Sequence, residues 1–568
     1  MKDCGTAGIT YSALDALKIG EVHSKPSEYE KARRWRHAEI YKQVNPPANL
    51  NVKSSPLFPE DIARLQEPQF AKATKMPPGF VPKSTCFFFT VDEVKKAVRR
   101  GVQHPKELNL SISDDMLVKL KFLTRAERHA MTRKGRYSVA LDVRTCYDQF
   151  RLPPEVADYF CFKFDGDWYR LDVLSMGFRA SCEVSHTSLQ RLADIPGLPP
   201  SVHVECLIDN VRFVGDDRAE VLAAATAFRA RCAECNVQLN EADTPVEDLL
   251  VGTPERPFGE WLGEVHNHVS RKAWCTEDTL RKVRECWDIR HRWTFRNFSA
   301  FIQLCFYASS ILRLDRSRRF AALRAYREAS AIAQADPAAW DRPVSEYDFL
   351  LPCVLTDLES WKDEVLRNGD ATPAGGGGAD LQDPERPPDV HMMTDASEWG
   401  WCVIWFDDRT GAVRVHSEPW GSHLDRTSRQ HSVIAEPEAV YKALCLIGVH
   451  PSDAFVVRLA TDSSAARWAF HAGYSKSFRM NAIVHRVQAA FPKLDLRTMH
   501  VAGLRNASDK GSRGREDEMT EEDWRAFGDW FHAECGKELV FSSGFGPVRI
   551  ARAQRCSPVT GPRSSARV

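Results

Sequence analysis

Apolar residues recur at two periods along this chain, and the periods separate strand-forming from helix-forming stretches. Ser138–Leu141 and Leu207–Phe213 are short apolar runs of the kind that form buried strands. Ala219–Ala233 carries the longer period of a helix, and Val91–Gly101 also reads as helical. Farther along, a two-period run at Val390–Phe406 precedes a helix that Glu436 opens and that reaches about Leu446. A buried strand at Phe455–Ala460, another helix and a strand at Leu496–Val501 follow. Thr520 can cap a last helix, whose Trp524, Phe527 and Phe531 fall at i, i+3 and i+7 and should pack on the preceding elements. Both halves read as α/β or α+β.

Composition narrows the class. The 568 residues suggest three or four units at roughly 100 to 200 residues per domain. Lys and Arg number 77 against 77 Asp and Glu, and hydrophobic residues make up 43%, which excludes a polycation and a wholly disordered chain. Apolar stretches such as Cys86–Phe89 fall far short of the ~20 residues that span a bilayer, and no charged-then-apolar leader opens the chain. No membrane association or secretion is expected. Sixteen cysteines without framework spacing fit reduced thiols in cytoplasm or nucleus. Cys232 and Cys235 lie in a helical pattern with no second pair, so they read as buried thiols rather than zinc ligands.

Charge and flexibility are unevenly spread. From Arg281 to Ser330 there are 12 Lys and Arg against 4 Asp and Glu. After Glu538 no acid remains, and a disordered tail is expected there. Asn368–Pro388 contains Gly375–Gly378 and several Pro and Asp, the composition of a tether between independent modules.

Downstream of that tether, four acids fall at strand ends or near a helix start. Asp395 ends Met392-Met393-Thr394-Asp395, Glu436 opens its helix, Asp462 ends Leu459-Ala460-Thr461-Asp462, and Asp509 follows a strand and turn. Acids so placed can converge at one sheet edge, where their repulsion is relieved by cations. Hard oxygen ligands favour Mg²⁺ or Mn²⁺, and paired ions can clamp the attacking and leaving oxygens of a phosphodiester. Taken singly, each acid would be read as a surface cap; all four in order favour a nuclease site. This order, with Trp399-Gly400-Trp401 and Asn506-x-x-Asp509, resembles ribonuclease H of retroelements over Val390–Arg515. The resemblance implies that Asp395, Glu436, Asp462 and Asp509 are metal ligands, with Glu438 the rival for the helix position.

Upstream, Tyr137–Asp142 is an apolar strand ending in an acid, with Tyr147 five residues on. Leu174–Ser181 contains Met176-Gly177-Phe178, and Leu207-Ile208-Asp209-Asn210 brings a second strand-borne acid. Asp142 and Asp209 could together hold two divalent ions for an in-line displacement at a triphosphate. The nearby Asp216-Asp217 reads as a turn at the far end of that strand. The arrangement resembles retroelement reverse transcriptases over Glu30–Phe320. That likeness implies that Asp142 and Asp209 are catalytic metal ligands, that Tyr147 packs under the sugar and that Met176-Gly177 faces the incoming nucleotide. Leu207 and Asn210 depart from the family's Tyr-x-Asp-Asp box. Arg34 and Arg36, with Asn45 beyond, resemble the segment that grips the triphosphate, and their alternation predicts a strand. The 96 residues between Asn45 and Asp142 suggest an insertion. Glu260–Val265 resembles the strand pair that holds the primer end. Trp287, Trp293, Phe295 and Phe298, interleaved with arginines, suggest a phosphate-tracking thumb.

The combined expectation is an α+β polymerase with fingers, palm and thumb, followed by an α/β ribonuclease-H-like domain. The boundaries are an extension (1–29), fingers and palm (30–255), a basic thumb or connection (256–367), a linker (368–388), ribonuclease H (389–515), an amphipathic helix region (516–544) and a basic disordered tail (545–568). The resemblance implies an RNA template, a DNA primer, dNTPs and an RNA–DNA hybrid as partners. Within that family, of LTR or tyrosine-recombinase retrotransposon type, the Ile208-Asp209-Asn210 box resembles the DIRS-like or VIPER-like kind. A decayed polymerase or a non-catalytic scaffold with residual ribonuclease H is the competing reading.

Overall fold

A computed structural model of the chain describes residues 8–20, 22–44, 46, 52–68, 71–93, 98–347, 350–371, 377–421, 431–541 and 548–555. Two compact units emerge, one of Met1–Ala273 with Asp380–Asp383, the other of Trp274–Ala379 with Pro384–Val568.

In the first unit, the apolar run Tyr137–Asp142 forms an antiparallel sheet with Asn210–Gly215 in the middle and His203–Leu207 beyond it. Val139, Leu141, Val211 and Phe213 are buried in its core. Asp217 caps the helix Arg218–Glu234 by accepting from the Ala219 and Glu220 N–H groups, as a turn acid does. Cys232 and Cys235 on that helix are buried free thiols. The stretch read as a helix at Val91–Gly101 is instead a hairpin of Phe87–Glu93 and Val98–His104. Its aromatic and β-branched run favours a strand, and Phe88 turns inward while Phe87 stays exposed, the alternation of a pleated surface. Arg34–Arg36 is likewise one turn of 3₁₀ helix following the helix Pro26–Arg33, not a strand.

The helix Ser181–Ala193 runs through the middle of this unit with ten of its 13 residues buried. Small and polar side chains let neighbours approach, and several find partners: Ser181 donates to the Ser175 carbonyl and Thr187 to the Glu183 carbonyl. Glu183 takes the Trp35 indole N–H at 2.5 Å and the Val118 N–H at 2.5 Å. A second buried network holds the hairpin of Phe258–Trp261 and Glu264–Asn267. Glu264 accepts from Arg125 at 2.7 Å, Arg128 at 3.2 Å and His129 at 3.0 Å, all on the helix Arg125–Arg133. Arg212 pairs with Glu205 at 2.5 Å and lies over the Trp261 ring.

In the second unit, four helices, Glu277–Asp288, Phe295–Leu312, Phe320–Ala335 and Pro352–Gly369, pack together. Trp287, Trp293, Phe295, Phe298 and Trp361 are buried among them, so the interleaved aromatics fill a core rather than line a nucleic-acid surface. Of the neighbouring arginines, Arg281 pairs with Asp278, Arg284 with Glu277 and Arg296 with Asp341, and Arg290 lies over the Trp287 ring. These helices belong with the sheet that follows. Asn481 donates to the Ser317 carbonyl at 2.7 Å, His485 meets Asp315 at 2.8 Å, and Phe320 packs on Phe478. The compact units therefore divide after Ala273 and again on either side of Asp380–Asp383, the latter inside the tether expected over Asn368–Pro388. Of that segment Asn368 and Gly369 end a helix and Ala379 opens a strand, while Gly375 and Gly376 lie outside the described residues.

The sheet of this unit has the order Asp495–His500, Val456–Thr461, Val390–Ala396, Gly400–Asp407, Ala412–Pro419, Val548–Arg555, Lys537–Phe541. Alternation sorts its two faces. Val390, Met392, Trp401, Val403 and Trp405 pack with Ala435, Ala439, Ala443 and Leu444 of the helix His431–Ile447. Met393, Ile404 and Phe406 pack with Trp524, Phe527 and Phe531 of the helix Glu521–Cys535. Because Val548–Arg555 pairs with Ala412–Arg414 and with Lys537–Phe541, the tail expected to be disordered from 545 contributes a strand. The open edge of Ala412–Pro419 supplies the hydrogen bonds that local composition does not advertise. Residues 556–568 lie outside the description. No described helix is long and apolar enough to cross a membrane.

Glu264→Ala should cost the first unit about 3 to 5 kcal/mol, because it strands Arg125, Arg128 and His129 without their buried acceptor. Chemical denaturation of the full chain, followed by tryptophan fluorescence, measures it; a loss under about 1 kcal/mol would mean the network is relieved by water.

Candidate catalytic sites

Asp142 and Asp209 line one pocket, the first placed by strand register and the second by the turn beside it. Asp142 pairs with Asn210 across the two strands, and the Val143 N–H donates to the Asp209 carbonyl at 2.8 Å. Leu207 pairs with Asn210, leaving Ile208-Asp209 as a two-residue turn. Such turns favour Gly where φ is positive, yet Ile208 sits at φ 55°. Both acids line a cavity of about 440 Å³ together with Lys72, Arg99, Arg100, Gln103, Thr145, Tyr147, Met176 and Asn240.

Within this cavity, burial raises the Asp209 carboxyl above its ordinary value, opposed by a hydrogen bond from Asn210. The Asn210 amide donates to Asp209 at 2.8 Å, and the Asn240 amide donates to Asp142 at 2.5 Å. Tyr147 stands on the 3₁₀ turn Cys146–Gln149, beside the pocket. Gly177 packs so closely that a Cβ would lie 1.9 Å from the Gln103 carbonyl oxygen, while the Met176 N–H donates to the Gln103 side chain at 3.1 Å.

Arg34 and Arg36 are not among the residues lining the cavity. Arg36 is buried, bonded to Asp15 at 3.0 Å and stacked on Tyr11, and Arg34 is exposed; Asn45 lies outside the described residues. The cations that do line it are Lys72, Arg99 and Arg100. Lys72 pairs with Asp148, and Arg99 with Asp61 and Asp92. Reading Val91–Gly101 as a helix hid Arg99-Arg100, which the hairpin brings to the pocket.

In the second unit, parallel pairing aligns two acids. The strands Val390–Ala396 and Val456–Thr461 are in register up to Met393 and Ala460, and two residues beyond each stand Asp395 and Asp462. Equal parallel strands thus end with carboxylates side by side. Glu436 comes from the helix that covers this face, brought close by buried Ala435, Ala439 and Ala443. The helix starts at His431, so Glu436 lies within it rather than opening it, and Pro437 is accommodated inside. Oxygens of Asp395, Glu436 and Asp462 lie within 4.8 Å of one another. Glu438 is turned away and paired with Arg486. Asp509 is outside this trio, half-exposed and paired with Arg513 at 2.8 Å.

The trio has a clear electrostatic signature. Burial, then the charges of Asp395 and Asp462, push Glu436 up to about 9, against one hydrogen bond from the Ala396 backbone. Burial likewise pushes Asp395 up to about 7, with Asp462 and Asp509 adding and a Ser512 hydrogen bond opposing. Two partners orient Asp395: Ser512, which spacing alone did not single out, donates to Oδ2 at 2.5 Å, and Asn506 of the Asn506-x-x-Asp509 motif donates to Oδ1 at 3.0 Å. Glu436 Oε2 is buried without a hydrogen-bond partner.

A third group, His129, Glu264 and His266, also brings ligand-type atoms within 4.8 Å. It reads as a closed hydrogen-bond network. His129 Nδ1 accepts the Gln382 N–H at 3.1 Å and His266 Nδ1 faces Arg212 at 3.2 Å, so both rings present Nε2–H to Glu264. Burial would raise Glu264, but those histidines and Arg125 hold it far below the usual carboxylate range.

No protein-family model matches the chain. No curated protein matches it either. Among solved structures, a foamy viral protease-reverse transcriptase in complex with double-stranded DNA aligns over 87% of this chain and 82% of its own, at 11% identity and a TM-score of 0.43. The foamy viral protease-reverse transcriptase in complex with an RNA/DNA hybrid aligns over 85% of this chain and 64% of its own, at 11% identity and 0.44. A further double-stranded DNA complex of the foamy viral protein aligns over 86% and 96%, at 12% identity and 0.41.

The raised carboxyls have a consequence for stability. Glu436, ordinarily near 4.5, is held near 9 when folded, so between those values the native chain binds more protons than the unfolded one. Its contribution is intact below about 4.5, declines as pH rises and is fully lost above about 9. In chelator the second unit should therefore melt at falling temperature as pH rises through this window, and Glu436→Gln should flatten the slope. Melting scans across pH, with and without Mn²⁺, check this; an unchanged slope in Glu436→Gln would contradict it.

Proposed function

We propose that the chain is an RNA- and DNA-directed DNA polymerase of a retrotransposon, joined to a ribonuclease H that cuts the RNA strand of an RNA–DNA hybrid. One observation supports this reading above the rest: each compact unit brings carboxylates from sequence-distant segments together, lining one cavity in the first and within 4.8 Å in the second. Proteins seldom accept that cost unless the charges meet a cation.

The residues present fit divalent metal. Their donors are all carboxylate oxygens, which suits Mg²⁺ or Mn²⁺, and the unpartnered buried Glu436 Oε2 has no other acceptor role. Asp142 and Asp209 would hold the ions of the polymerase, and Asp395, Glu436, Asp462 and Asp509 those of the nuclease. When bound, such ions supply charge neutralisation at phosphate oxygens and favour deprotonation of the attacking oxygen. The chain's own groups do the positioning. Lys72, Arg99 and Arg100 offer cations for a triphosphate, Met176 faces the incoming nucleotide with Gly177 packed behind it on Gln103, and the Tyr147 ring bounds the space left for its sugar. Ser512 and Asn506 keep Asp395 pointed into its cluster.

A second reading is a chain that binds primed template without copying it while still cleaving hybrid. Asn210 favours it, since an amide donating to Asp209 stands where the resembling family has a second acid.

Primer extension and hybrid cleavage, measured separately on the full chain with Mg²⁺ or Mn²⁺, test both. Asp142→Asn and Asp209→Asn should each lower extension by about a thousandfold or more and leave cleavage intact. Asp395→Asn should do the reverse. Cleavage without extension by the unaltered chain would favour the second reading, and loss of both activities in every variant would contradict separable sites.

A further inference from the structure

The helix Ser181–Ala193 turns three polar side chains toward the pocket that carries Asp142 and Asp209. Cys182, Ser185 and His186 stand at i, i+3 and i+4, so they leave the helix on one side. Ser185 and His186 are buried, 1% and 3% exposed. Ser185 Oγ donates to the Ile208 carbonyl at 2.8 Å, and His186 Nδ1 accepts the Ile208 N–H at 3.2 Å. The Ser185 oxygen also lies 2.8 Å from Cys146 Sγ, whose thiol can donate to it. Cys182 Sγ lies 3.4 Å from the Tyr147 hydroxyl. The His186 ring meets Phe122 edge to face at 5.1 Å, which limits its rotation.

Ile208 is the residue in this turn that needs holding. A β-branched side chain at φ 55° is strained, at a cost of about 1 to 3 kcal/mol. If the peptide rotated to relieve the strain, the next residue, Asp209, would turn with it. Apolar contacts to the isoleucine would not fix the direction of the peptide, because they are non-directional. A donor and an acceptor on adjacent residues of one rigid helix do fix it.

Resting on the polymerase reading above, we propose that Ser185 and His186 are positioning residues: by gripping both backbone polar atoms of Ile208 they set where the Asp209 carboxylate lies relative to Asp142. Ser185 and Cys182 tie the Cys146–Tyr147 turn to the same helix, so one element holds both loops of the pocket. Neither Ser185 nor His186 is a catalytic residue.

The experiment compares the full chain with Ser185→Ala, His186→Ala and His186→Asn, whose Oδ1 reaches the place of Nδ1. Primer extension is followed against Mg²⁺ concentration. Mn²⁺ binding is read by electron paramagnetic resonance in a background of Asp395→Asn and Glu436→Gln, which silences the nuclease cluster. Amide exchange of the 207–210 segment reports the turn itself. The alanine variants should need about tenfold or more cation for half-maximal extension, bind Mn²⁺ more weakly by a similar factor and exchange faster at 207–210. His186→Asn should restore all three, and hybrid cleavage should not change. Alanine variants with the cation dependence of the unaltered chain would overturn the proposal alone. An unaltered chain that extends no primer would overturn the polymerase reading and this proposal with it. Should His186→Ala fail to fold, Ser185→Ala, which removes a single oxygen, decides the matter.

Discussion

Carboxylates brought together out of water repel one another and lose hydration, and the second unit is arranged around that constraint. Parallel pairing ends two strands with Asp395 and Asp462 abreast, and a row of alanines lets the covering helix bring Glu436 against them. The protein limits the repulsion by keeping protons where ions are absent: burial and neighbouring charge leave Glu436 titrating near 9 and Asp395 near 7. The same geometry that disfavours three anions favours a divalent cation among them. Packing and chemistry are therefore one problem here, since the alanines that close the core also set the spacing of the acids.

The first unit meets a related constraint by different means. Asp142 ends a strand that pairs with Asn210–Gly215, so register fixes it opposite Asn210, but Asp209 sits in the turn before that neighbour, where register alone does not reach. Backbone strain at Ile208 is the local cost of aiming that carboxylate. Directional hydrogen bonds from one buried helix stabilise the strained turn, and amides from Asn210 and Asn240 occupy carboxylate oxygens that repulsion would otherwise leave mobile.

What could be read from residues alone followed from periodicity. The alternation over Val390–Phe406 marked strand, which the structure divides into Val390–Ala396 and Gly400–Asp407, and the i, i+3, i+7 stripe of Trp524, Phe527 and Phe531 marked a helix that packs on this sheet. Acids at strand ends were legible because a strand's end is marked by where its apolar run stops. What escaped depended on partners distant in sequence. Val98–His104 pairs with Phe87–Glu93 as a hairpin, and Val548–Arg555 becomes a strand only beside Ala412–Arg414. The aromatics from Trp287 to Phe298 look like a binding surface until four helices close over them. Arg36 carries the right charge for phosphate but is spent on Asp15, and no spacing rule reveals that. Asn240, Ser512 and Asn506 make side-chain hydrogen bonds to the acids across long stretches of chain, so their part in the sites is visible only in three dimensions.

The test falls on the Asp395–Glu436–Asp462 cluster, proposed as a cation seat that holds protons until it is filled. Calorimetric titration of the intact chain with Mn²⁺ at pH 7, in buffers of different ionisation enthalpy, counts the protons displaced. With Glu436 near 9 and Asp395 near 7, binding at the second unit should release about one to two protons, and Glu436→Gln should release fewer by about one. Cation binding that displaces no proton, or the same number in Glu436→Gln, would contradict the account.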